Sequence, residues 1–343
     1  MIKMMNTLKR FASFGIVLIL LAGTTTSCAS SNSDLDFFKG KTVTIIVPHG
    51  SGGMNTYARA IAPYLQKYLP GSKVEVKNIP EGGGIIGRNQ VYAAQPDGLT
   101  LGFTTGAGVL LAEWAEQPGV QYKTADFSYI GRINAEAHIV VVSPRTDFIK
   151  LDDIVRAKKI SMGFTGVGSD DYYVALIMAR TLGYQVDAHT EFAGFNDASL
   201  ACVRGEVDAI LFSESSVQSQ IEAQTVIPIV SFSKESPPAL PDVPTIFQAI
   251  PSDKQALMQS LVQIYALERV LIAPPNVPAS RLKVLRDALD KTMADPEFQQ
   301  NMIKIQRPVN YLTGAETADL LANIMLNESQ IKPLVLEIAQ GSK

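Results

Sequence analysis

Cysteine is almost absent: the chain has two in 343 residues, with one tryptophan and three histidines. Cys28 follows an apolar N-terminal run, so removal of that run as a leader leaves Cys202 as the remaining thiol and excludes an intramolecular disulfide. Cys202 lies in "SLACVRGEVDA" among apolar neighbours and is predicted to be buried rather than nucleophilic. The histidines, His49, His138 and His189, are far apart and form no H-E-x-x-H, so no metal site is expected. His138 and His189 read as strand positions, whereas His49 sits in a glycine turn where it could donate to a ligand. No G-x-S-x-G elbow or Walker loop is present, and the two glycine turns at 50–53 and 166–168 lack the spacing G-x-G-x-x-G, which occurs once, as a lone match, in "PEGGGIIG" (80–87). Hydrolase and dinucleotide chemistry are thus disfavoured, and no cofactor is expected. Basic excess is also missing. A net charge of −3 supplies no concentrated positive face for nucleic acid.

What the N-terminus does have is a leader pattern. Lys3, Lys9 and Arg10 precede "FASFGIVLILLA", and small residues follow up to Cys28. That apolar run is short for a bilayer core of about 30 Å, so a secretory signal fits better than a transmembrane helix. The segment resembles a lipobox, although Thr25 stands where Leu is usual; lipidation at Cys28, giving a membrane anchor, and plain cleavage both remain open. Residues 29–36 read as a polar, flexible tether.

Past residue 36, short β-branched runs alternate with longer amphipathic stretches. Strands are expected at 41–47, 73–79 and 99–103, with helices near 55–69, 85–95 and 107–116. A second series begins at 138–143 and continues with strands at 160–164, 187–192 and 207–212 and helices near 151–158, 170–182 and 196–204. After 226–233 come a proline-rich connection and helices near 253–263, 279–293, 296–304 and 314–337. The alternation implies an α/β fold with two parallel sheets and crossover helices, and 46% hydrophobic residues suffice for two domains.

Each series carries a glycine turn running from a strand into a helix. In "IIVPHGSGGMNTYARAIA" the expected N-cap is Asn55 or Thr56; in "MGFTGVGSDDYYVALIMA" it is Ser169. A helix N-terminus leaves N–H groups unpaired and carries about half a positive charge, so such turns favour anions, and the Ser169 hydroxyl adds a possible donor. "GFTTGAGVLL" (102–111) ends a third strand with Thr104 and Thr105. All three turns fall at carboxyl ends of expected strands, where open α/β sheets bind ligands. Asp170 and Asp171 admit two readings, an acid couple or ordinary first-turn acids favoured by the helix dipole.

From Phe37 onward the chain resembles the tripartite tricarboxylate transporter solute-binding proteins, the Bug family. The matching strings occur in order: "IIVPHGSGGMNTYAR", "NIPEGGGIIG", "PDGLT", "GFTGVGS", "EFAGFNDASLACVRGEVDA", "LPDVPT" and "IAPPNVPASRL". The resemblance implies a periplasmic binding protein type II fold, a venus-flytrap of two Rossmann-like α/β lobes joined by crossover strands. Residues 37–137 would form lobe 1 and 138–232 lobe 2, with 233–343 returning to lobe 1 and its C-terminal helices packing across the hinge.

It further implies an exported, non-enzymatic monomer that captures a small organic carboxylate and delivers it to large and small membrane permease subunits. A lipoprotein sensor signalling to a membrane receptor is the alternative. The implied contact residues are His49, Gly50, Ser51 and Asn55 from the first loop and Thr165, Gly168, Ser169 and Asp170 from the second, then Ile85, Thr104, Thr105, Phe195, Asn196 and Ser213. Asn55 stands where many members have Asp, His49 where an aromatic is common, and the first loop is one residue shorter. Loss of that acid predicts a ligand without an essential amine.

Overall fold

A computed structural model describes residues 30–341. The leader and Cys28 lie outside the described residues.

The first lobe runs α1 (Ser30–Phe37), β1 (Thr42–Val47), α2 (Gly53–Tyr68), β2 (Lys73–Asn78), α3 (Ile85–Tyr92), β3 (Thr100–Thr105), α4 (Gly106–Trp114) and β4 (Ser128–Asn134). After a three-residue crossover, 135–137, the second lobe runs β5 (His138–Val142), α5 (Leu151–Ala157), β6 (Lys159–Gly163), α6 (Asp170–Leu182), β7 (Gln185–His189), α7 (Phe195–Arg204), β8 (Ala209–Ser213), α8 (Glu214–Glu222) and β9 (Ile227–Phe232). The chain returns through α9 (Ile246–Ala249) and α10 (Gln255–Tyr265) into β10 (Arg269–Ala273), then α11 (Ala279–Ala294), α12 (Pro296–Lys304), β11 (Leu312–Thr313), α13 (Gly314–Met325) and α14 (Glu328–Gly341).

The two sheets share one plan. Lobe 1 orders its strands β11-β4-β10-β3-β1-β2 and lobe 2 β7-β6-β8-β5-β9. In each, three parallel strands abut one antiparallel strand that has just crossed from the other lobe: β10 against β3, and β5 against β8. Parallel strands therefore end at the interlobe cleft where β10 and β5 begin. Arg269 pairs with Thr105 and Asn134, and His138 with Ser213 and Phe232, all at that edge. Residue types follow position. β1, covered by helices, reads "TVTIIV", while the edge strands β2 ("KVEVKN") and β7 ("QVDAH") place charged residues outward, which discourages pairing with another chain.

Several expectations shift. The expected tether is helical over Ser30–Phe37, because Leu35 and Phe37 pack against the lobe 1 core and Asp34 approaches Arg281 at 3.8 Å. Helix α2 starts at Gly53, earlier than Asn55 or Thr56, with Gly52 as its N-cap at φ 142°. Ser169 does occupy the N-cap of α6, but its hydroxyl donates to the Gly166 carbonyl and accepts no helix N–H. The helix expected over 314–337 is two, α13 and α14. β4, β10 and α8 went unanticipated. Cys202 is buried, as expected, and burial pushes its thiol up to about 12.

Leu271, fully buried in β10, packs in the core that α2 and α11 share with sheet 1. Leu271→Ala is expected to cost about 2–5 kcal/mol, read as a lower urea midpoint with an unchanged m-value.

Candidate functional site

The lobes are closed on one another, and glycines make the closest contacts. A Cβ on Gly50 would stand 2.2 Å from the Ala193 carbonyl oxygen, one on Gly194 2.6 Å from the Ser51 oxygen, and one on Gly166 2.7 Å from the Cα of Gly83. The first glycine loop thus meets the loop before α7, and the "GVGS" loop meets "EGGG". Thr105 donates to Asp170 across the boundary at 3.1 Å, and Arg88 Nη1 donates to the Gly168 carbonyl at 3.3 Å.

Between these contacts lies a cavity of about 70 Å³. Of the residues named from sequence, His49, Gly50, Ser51, Thr105, Thr165, Asp170, Phe195 and Ser213 line it. The others do not. Asn55 is the third residue of α2 and accepts from Arg59 Nε at 3.0 Å; Thr104 is 3.4 Å from Arg88 Nε; Gly168 and Ser169 face the wall through the bonds given above. Ile85 lies in a groove at the cleft mouth, and Asn196 is exposed on the outer side of α7. His189 sits outside the cleft beside Glu191 at 3.5 Å.

Apart from Ser213 and His138, the floor consists of residues that the sequence did not flag. Arg269, which begins β10 and is 1% exposed, lies 2.5 Å from Glu136 and 2.8 Å from Glu268 and donates to Ser213 Oγ at 2.8 Å. Its guanidinium lies over the Tyr57 ring at 4.5 Å. Glu136 also accepts from the Ser215 N–H at 2.7 Å, occupying the start of α8, while Gly106 and Ala107 of α4 donate to the Glu268 and Leu267 carbonyls. Two helix N-termini are thereby committed to the crossover segments. Those of α2 and α7, which carry no side-chain cap, face each other across the first glycine loop. His138, flat against Tyr265 at 3.7 Å, completes the floor with Nε2 3.9 Å from both Asp170 and Glu268.

Burial governs the protonation states. It lowers His49 and His138 to about 3, so both are neutral at pH 7. It raises Glu268 to about 8, outweighing Arg269, because that guanidinium is shared with Glu136. Asp171, which accepts from the Thr165 N–H and hydroxyl, is raised to about 7 by burial and by Asp170 beside it. No group of three or more His, Cys, Asp or Glu suited to a metal occurs among the described residues.

A carboxyl whose folded pKa exceeds its unfolded value stabilises the fold while the unfolded chain is also protonated, and that stability is lost as pH rises through the folded pKa. Up to about pH 6.5 this loss is opposed by His49 and His138, whose lowered values favour the fold as the unfolded imidazoles deprotonate; stability is therefore expected to decline between about pH 6.5 and 8, and Glu268→Gln to flatten part of that slope. Urea midpoints across that range check this; an unchanged slope in the variant refutes it.

A family model described as "Tripartite tricarboxylate transporter family receptor" matches residues 57–335. A protein encoded in the TAR-I ttuE–ttuC' intergenic region of Agrobacterium vitis is 28% identical over 270 residues, 76% of this chain and 74% of its own. Among solved structures, the periplasmic binding protein BugD is 23% identical with a TM-score of 0.72, covering 88% of this chain and 99% of its own. MatC of Rhodopseudomonas palustris with bound malate is 22% identical with a TM-score of 0.73, covering 87% and 100%. At these identities the solved structures establish the two-lobed fold, and with the match to most of the sequence they place this chain in the tripartite tricarboxylate transporter receptor family.

Proposed function

We propose that the protein captures a small organic carboxylate in the interlobe cavity outside the cytoplasm and presents it, with the lobes closed, to membrane permease subunits. Family membership already makes the chain a solute-binding protein rather than an enzyme. The observation that carries the carboxylate reading is the pair of uncapped helix N-termini, α2 and α7, meeting over the cavity beside His49 and Ser51. His49 Nε2 is buried there without a hydrogen-bond partner, as is Arg269 Nε on the floor. Binding of malate by MatC agrees with this class of ligand. Contact with ligand is assigned to His49, Gly50, Ser51, Thr105, Thr165, Asp170, Phe195 and Ser213. Anchoring by lipid at Cys28, a monomeric state and delivery to large and small permease subunits belong to the same proposal.

The cavity is small, so a ligand of few carbons is expected. A thermal-shift screen of mono-, di- and tricarboxylates, after unfolding and refolding to strip carried-over ligand, tests the reading. Ligand at 100 times its Kd should stabilise by about 2.7 kcal/mol, a rise of several degrees. No shift with any carboxylate would overturn it.

Closure depends on the absent side chain at Gly50. Gly50→Ala should leave the unfolding midpoint without ligand within about 0.5 kcal/mol of the parent, because open lobes relieve the clash. It should weaken binding tenfold or more and abolish the ligand-induced fall in radius of gyration seen by small-angle scattering. Unimpaired compaction in the variant would sink this account.

A further inference from the structure

The cavity floor is unbalanced in charge. Asp170, Asp171 and Glu268 line it with Glu136 directly behind, and against these four acids stand Arg269, Arg88 and, on the far side of Glu136, Arg307. Arg269 is taken up by Glu136 and Glu268 together. Arg88 acts on Asp170 through space without pairing with it: the two flank Gly108, and Arg88 Nη2 has no hydrogen-bond partner. Both lining histidines are neutral and supply no further positive charge. No cation stands against Asp171, Glu268 shares Arg269 with Glu136, and these are the two acids that burial and neighbouring carboxylates raise into the neutral range. First-turn acids on a solvated helix would gain from the dipole. Here the acids are almost fully buried, so the arrangement costs stability, a cost that groups facing a ligand can recover on binding.

The geometry leaves a place for the missing cation. His138 Nε2 lies 3.9 Å from Asp170 Oδ2 and the same distance from Glu268 Oε1, too far to hydrogen-bond to either, and all three residues line the cavity. An ammonium group has three donors and no acceptor, which suits two carboxylates and a neutral imidazole. A second, independent feature marks the other end of the ligand: His49, in the first glycine loop just before α2, lines the cavity, and its buried Nε2 has no partner.

We infer that the cleft selects a small acid that also carries an ammonium group, and that Asp170, Asp171 and Glu268 impose this preference. The inference rests on the carboxylate reading proposed above, and it reverses the expectation drawn from Asn55, whose side chain lies outside the cavity. The ligand's carboxylate faces the α2 and α7 N-termini, while its ammonium faces the acids on α6 and at the start of β10.

Calorimetry on the full chain with matched probes separates the two ideas: succinate against L-aspartate, glutarate against L-glutamate, and 1,4-diaminobutane as a cation without carboxylate. The expected result is that at least one amino acid binds tenfold or more tighter than its desamino partner, with the ratio falling toward one in Asp171→Asn and in Glu268→Gln. Two isosteric variants are used so that the ratio can be read if one fails to fold. Equal or tighter binding of succinate or glutarate overturns the inference while leaving carboxylate capture standing, as does a ratio that neither variant changes. Preferential binding of 1,4-diaminobutane would support the acidic subsite and overturn the carboxylate reading instead. No binding by any probe overturns both.

Discussion

A single buried guanidinium holds both crossings between the lobes. Arg269 is the first residue of the strand that returns to lobe 1, and it reaches Glu136 in the outward crossover, Ser213 at a strand end of lobe 2 and the Tyr57 ring on α2. A buried ion pair of this kind adds little net stability compared with an apolar replacement, yet removing one partner strands a charge at a cost of about 3–5 kcal/mol. Its role is positional. Because Glu136 also accepts from the Ser215 N–H, the same network sets where α8 begins.

Around that fixed point the lobes approach through backbone rather than side chains. The glycines of the first loop and of "EGGG" meet Ala193, Gly194 and Gly166 closely enough that a single methyl would intrude. Glycine in these turns thus has a use beyond conformational freedom, since it lets two loops from different lobes touch and seal a small volume. In a sealed volume electrostatic interactions are strong, because the nearby medium is less polarisable than water. The same seal makes every buried acid on the floor sensitive to what shares the space with it.

Much of the fold was legible because parallel strands and crossover helices leave long local patterns, as in "TVTIIV" followed by the amphipathic α2. The strands that were missed, β4, β10 and the two-residue β11, are antiparallel, although β5 and β9, also antiparallel, were read; "RVLIA" is too short to distinguish from a buried helical fragment. The glycine turns identified half of the cavity for the same local reason. The other half was hidden. Glu268 and Arg269 sit in an unremarkable "ALERVL", and only strand pairing brings them beside Thr105 and Asn134. His138 read as a strand position, which it is, but the sheet edge it starts from is the cleft. Asn55 failed in the opposite way: helix α2 begins two residues early and turns that side chain off the cavity.

The last helix has a consequence for the amplitude of opening. α14 packs on α4 of lobe 1 and on α6 of lobe 2, burying Ile331, Val335 and Ile338 in a core that also contains Trp114 and Tyr173. Any separation of the lobes would therefore require α14 to slide over one helix or to release it and wet an apolar seam. A leaf spring clamped at both ends behaves alike, yielding readily to small bending and stiffening as the gap widens.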